Sequence, residues 1–132
     1  MIQEAKFNNI EHKILQAIEL KAKQDFDSVC NIYQELVVMQ PSNASFYDEL
    51  AQSQARLGLF LEAIENYQKS IDLGNSNQFW IYKNLGDSLA EVEKVDEAVL
   101  AYQKALEIEP ERGMVRQKLT KLQSQQPEAN LG

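Results

Sequence analysis

Catalysis needs reactive side chains that can converge, so these come first. The chain has one histidine, His12, and one cysteine, Cys30. Together they cannot build a zinc site, which takes three or four nitrogen, sulfur or carboxylate ligands at set spacing. There is no glycine-rich phosphate loop and no Gly-x-Ser-x-Gly elbow. The carboxylates are spread along the chain and do not cluster. No catalytic residue, metal or cofactor is therefore expected, and the chain is read as a non-enzyme. His12 reads as a surface residue and Cys30 as a small buried hydrophobe. Trp80 is the sharpest feature among side chains that recognise rather than react, because it is the only tryptophan.

Composition narrows the class of partner. The formal charge is -7 over 132 residues. Nucleic-acid binding needs clustered positive charge, and an anionic membrane surface needs the same, so neither is expected. The charge is uneven, since Arg112, Arg116, Lys118 and Lys121 outnumber Glu111 over residues 111–125. No apolar run is long enough to span a membrane, and Met1–Lys6 lacks the form of a secretion signal. A single thiol rules out an intrachain disulfide and fits a reducing compartment, so a cytoplasmic place is expected. Asn43-Ala44-Ser45 matches a glycosylation triplet but reads as a helix-entry turn.

The elements that must position these residues repeat. Tyr-Gln occurs at 33–34, 67–68 and 102–103, spaced by 34 and 35 residues. Val29, Ala63 and Ala98 keep the same beat, as do Phe26, Phe60 and Val95. Pro41, Asn75 and Pro110 close each unit. A fixed period near 34 marks stacked units that cannot bury their apolar faces alone. Helical spacing predicts a helix pair in each: about 9–23 with 26–39, 44–57 with 60–73, and 80–92 with 95–108. Gly58 and Gly74 suit left-handed helix stops, and Pro110 ends its helix from outside. The units run about 10–43, 44–78 and 79–112. Met114, Val115, Leu119 and Leu122 extend the period into a capping helix at about 111–124, and 125–132 is expected to fray.

The third unit carries Tyr82, Leu85-Gly86, Leu89, Ala98, Tyr102, Ala105 and Pro110. This pattern resembles the tetratricopeptide repeat (TPR). The second unit matches through Tyr47, Leu50-Ala51, Ala63, Tyr67 and Ser70, with Gln54 and Asn75 as departures. The first matches only in its second half, at Val29, Tyr33, Leu36 and Pro41. Lys13 and Gln16 stand where Tyr47 and Leu50 stand later. The resemblance implies an all-α, right-handed solenoid of stacked antiparallel helix pairs. Gly86, Ala51 and Ala17 share one place, where a small residue lets the paired helices approach.

The resemblance also implies that the first helix of each pair lines a concave groove. It would place Trp80, Lys83, Asn84, Asp87 and Glu91 of the third unit there, with Ser45, Asp48, Glu49, Gln52 and Arg56 of the second. Ile14, Leu15 and Ile18 would come from the first, and Lys118 and Lys121 from the cap. Two family specialisations are testable on these residues. The clamp for acidic chaperone C-termini would need Lys or Asn where this chain has Ile14, Ile18, Glu49 and Trp80, so that clamp is not expected. The asparagine ladder of the sugar transferases finds only Asn84. The implied function is protein or peptide binding by an adaptor or scaffold. Two other readings stand beside it: a docking segment of a larger bacterial enzyme such as a glycosyl- or methyltransferase, and self-assembly into a homo-oligomer through the Ile14-Leu15-Ile18 face.

Overall fold

Few glycines and prolines, with many Glu, Lys, Gln, Leu and Ala residues, favour helix over strand. The computed structural model describes residues 2–126, and the side chains from residue 9 onward. It has seven helices and, among the described residues, no strand. They are α1 (Ile2–Ala22), α2 (Phe26–Met39), α3 (Ala44–Arg56), α4 (Phe60–Asp72), α5 (Gln78–Glu91), α6 (Val95–Ile108) and α7 (Gly113–Gln123). The period-based boundaries hold within a few residues except at one place. α1 begins at Ile2 and not near residue 9, because residues 2–8 contain no glycine or proline to stop it. Of the tail expected to fray, residues 127–132 lie outside the described residues.

The turns inside the pairs are built alike. Gln24, Gly58 and Glu93 each adopt a left-handed φ, of 60°, 80° and 62°, one repeat apart. Each amide bonds back three residues, and the next amide bonds back five, as in Leu59 N–H to the Gln54 carbonyl at 2.8 Å. These paired bonds cap the carbonyls that a helix end leaves open. Gly74 repeats the motif after α4 with φ of 82°. α2 and α6 stop differently. Gln40 and Glu109 precede prolines and are pushed to extended backbone, with φ of -134° and -131°. Asn43 stands at the entry to α3, and its side chain donates to Gln40 Oε1 at 2.9 Å.

Each helix packs on its neighbours in sequence, and α3 also meets α5. The described core falls into two clusters. One joins Ile10, Ala17, Val29, Cys30, Tyr33, Leu36, Phe46 and Leu50. The other runs from Ala51 through Tyr67, Ile81, Leu89, Ala98 and Tyr102 to Val115 and Leu122 of α7. α3 serves both, turning Phe46 and Leu50 one way and Ala51 the other. Buried Ser53 and Gln54 follow on the same helix. Neither is left without a partner: Ser53 Oγ donates to the Leu50 carbonyl at 2.8 Å, and Asn66 Nδ2 donates to Gln54 Oε1 at 2.8 Å. The second unit closes with a polar cluster where the third has Ala105 and Pro110. Ser70 Oγ donates to the Ala44 carbonyl at 2.7 Å, Asn75 Nδ2 donates to Ser70 Oγ at 3.0 Å, and Asn75 Oδ1 caps the Asn77 amide at 2.9 Å.

Candidate functional site

Side chains three and seven residues apart lie on one face of a helix. On α3 that spacing aligns Glu49, Gln52 and Arg56, and on α5 it aligns Asn84, Asp87 and Glu91. Both rows face one cleft of about 990 Å³. The last turn of α1 closes one end with Lys21 and Ala22, and α7 closes the other with Lys118 and Lys121. Tyr67 and Tyr102, from the second helices, reach its floor. Three successive units and the cap therefore share a single concave surface.

Asp87 organises the α7 end. Its Oδ2 lies 2.8 Å from Lys83 Nζ, and its Oδ1 lies 2.8 Å from Lys118 Nζ. The Tyr102 hydroxyl also donates to Oδ1, at 2.5 Å. Burial pushes this carboxyl upward, but hydrogen bonds from Lys118, Lys83 and Tyr102 outweigh it and hold it below the usual aspartate range. Burial, with the Asp87 contact added, pushes the Tyr102 phenol well up, so it stays a donor. Gly86 makes the contact reachable. A Cβ there would sit 2.6 Å and 2.7 Å from Tyr102 ring carbons, so the ring lies directly on the α5 backbone.

At the other end Lys21 pairs with Glu49 at 3.2 Å. The Arg56 guanidinium lies over the Phe26 ring, 4.6 Å from its centre. The cleft is lined by five cationic side chains (Lys21, Arg56, Lys83, Lys118, Lys121) and three anionic ones (Glu49, Asp87, Glu91). Its net charge is thus +2 in a chain of formal charge -7. Among the described residues no group of three or more His, Cys, Asp or Glu side chains is placed to hold a metal. No described helix is long and apolar enough to cross a membrane.

The profile of the tetratricopeptide repeat matches residues 42–111, more than half of the chain. The chain belongs to the tetratricopeptide repeat family. Among curated proteins it is 29% identical over 102 residues to the mouse DnaJ homolog subfamily C member 7, covering 73% of this chain and 19% of that protein. It is 30% identical over 95 residues to the Small glutamine-rich tetratricopeptide repeat-containing protein 2 of Saccharomyces cerevisiae, covering 72% of this chain and 27% of that one. The chain spans only about a fifth to a quarter of the relatives it matches. Among solved structures it resembles the first TPR of Spaghetti (RPAP3) bound to HSP90 peptide SRMEEVD, with a TM-score of 0.80 at 20% identity, over 87% of this chain and 90% of that one.

With the TPR frame in place, the residues assigned to the groove from the sequence divide. Glu49, Gln52, Arg56, Lys83, Asn84, Asp87, Glu91, Lys118 and Lys121 line the cleft. Ser45, Asp48, Trp80, Ile14, Leu15 and Ile18 stand outside its lining. Asp48 is buried and accepts a hydrogen bond from Gln52 Nε2 at 3.1 Å. Desolvation raises its carboxyl above the usual range. Trp80 is 41% exposed at the start of α5, edge-on to Phe79, with Arg112 of the α7 entry 5.2 Å over its ring. Ile14 packs in part against the first core, while Ile18 is exposed along α1 beside Leu15. Lys21 was not assigned to the groove from the sequence, yet it lines the cleft. The repeat period could have found it, since Lys21 stands one unit before Ala55 and two before Ala90, which line the same cleft.

Proposed function

We propose that this chain is a peptide-binding TPR adaptor module whose cleft takes an extended segment of a partner protein rich in acidic side chains. The observation that carries this reading is the net positive cleft on a negative chain. Such a sign difference steers acidic segments into the groove and repels basic ones. The RPAP3 relative in fold was solved with the peptide SRMEEVD, which supports a peptide as occupant of this architecture. The residue set differs from the chaperone clamp, because Ile14, Ile18, Glu49 and Trp80 occupy its places. The expected ligand therefore has acidic side chains along its length, seated by Lys83, Lys118 and Lys121, and not a gripped chain terminus. A binding role without catalysis fits the described residues, and the buried free thiol of Cys30 fits a cytoplasmic setting.

The test uses short fluorescein-labelled peptides of alternating Ala and Glu, with Ala-Gln and Ala-Lys counterparts, read by fluorescence polarisation. The Ala-Glu probe is expected to bind best, and Lys121→Glu to weaken it several-fold with helix content unchanged. Preference for the Ala-Lys probe would overturn the reading. A second reading rests on a separate observation. Leu15 and Ile18 are 66% and 57% exposed on α1, at the positions that Glu49 and Gln52 hold on α3. Contact with a second copy of the chain would cover them, and mass by light scattering across a concentration series decides this.

A further inference from the structure

In the described cleft, Asp87 is the one carboxylate that touches two lysines, and those lysines come from different helices. Its counterpart one unit earlier is Gln52, which is neutral. Its side chain is 31% exposed, so the ion cluster opens to the groove and is not sealed in the core. We propose that Asp87 is a built-in competitor for acidic ligands: its carboxylate occupies the lysines that a ligand carboxylate would use, and so sets the charge selectivity of the cleft. This rests on the acidic-peptide reading above.

The physical basis is the limited supply of donors. An ammonium group has three N–H bonds, so Lys83 and Lys118 can still meet a second carboxylate. That carboxylate must then sit a few ångströms from Asp87, and like charges at that range repel even near a surface. Ligands that bring several acidic groups, reaching Lys121 as well, overcome the repulsion. A lone carboxylate gains little. Asp87 thus lowers affinity for weakly acidic segments more than for strongly acidic ones. It also links α5 to α7 through Lys118, so the element that closes the cleft is held by the group a ligand must share.

Asp87→Asn keeps the shape and leaves an amide oxygen to accept from Tyr102, but it removes the charge. With the same probes, this variant is expected to bind Ala-Glu roughly three- to tenfold tighter than wild type, the size expected when partly exposed ion pairs are released. Its affinity is expected to fall more steeply with salt. The Ala-Gln probe should bind both proteins alike, and Asp87→Glu should stay close to wild type. Circular dichroism confines the comparison to folded proteins, and Asp87→Ser takes the place of Asn if that variant does not fold. Wild type binding Ala-Glu as tightly as Asp87→Asn, or more tightly, overturns the role of Asp87 and leaves the acidic-peptide reading standing. Failure of both proteins to bind Ala-Glu overturns that reading, and this proposal with it.

Discussion

The position shared by Ala17, Ala51 and Gly86 is the tightest constraint at the residue scale. Ala17 and Ala51 are fully enclosed, so a methyl group fits there in the first two units. In the third unit it does not fit, because the Tyr102 ring already occupies the space. Gly86→Ala is therefore expected to cost about 1–3 kcal/mol, as over-packing of a filled core does. The ring must retreat, and its hydroxyl then loses reach to Asp87. Urea denaturation checks the cost, and an unchanged midpoint would contradict the packing described. The sequence made the small residue legible at all three places. It could not reveal which unit needs glycine, because that depends on the position of a ring sixteen residues away. The same limit separates Asp48 from Asp87: both sit on first-helix faces in the repeat pattern, yet one is buried against Gln52 and the other joins two lysines.

The elements were the most legible level, because helix period and proline stops are local. The left-handed turn positions were only half legible. Gly58 and Gly74 announce themselves, but Gln24 and Glu93 adopt the same backbone without the residue that suits it. A left-handed φ costs a residue with a Cβ about 1–2 kcal/mol. Glycine recovers most of that and loses part to unfolded-state entropy. Glu93 is exposed and brings no packing to lose. Glu93→Gly should thus stabilise the chain by about 0.5–1 kcal/mol, seen as a higher denaturation midpoint. A fall in stability would mean that the Glu93 side chain contributes something beyond its backbone. The Ser70-Asn75 cluster was illegible for another reason. Ser70 keeps the small residue of the family pattern while Asn75 departs from its proline, and only the fold reveals that the two bond to each other.

In the whole molecule, stability is expected to be graded along the stack. In a solenoid each unit leans only on its neighbours, so a weak end unit can open by itself. The first unit is weakened on α1. Lys13 stands in the slot of Tyr47 and pairs with Glu35 at 2.5 Å in place of apolar packing. Gln16, in the slot of Leu50, is exposed. The buried polar pair Ser53 and Gln54 lies on the helix shared by the two cores. Amide hydrogen exchange should therefore find α1 less protected than α5 and α6, by at least about 1–2 kcal/mol. Uniform protection would mean that the two cores unfold as one. The cleft bears on this grading, because its lining reaches from Lys21 and Ala22 at the end of α1 to Lys121 of α7. A ligand spanning it ties the weakest unit to the strongest, and at about 100 times its Kd it adds roughly 2.7 kcal/mol to the bound form. The added protection should then appear first in α1, because its opening breaks contact with the ligand while the rest of the stack remains folded.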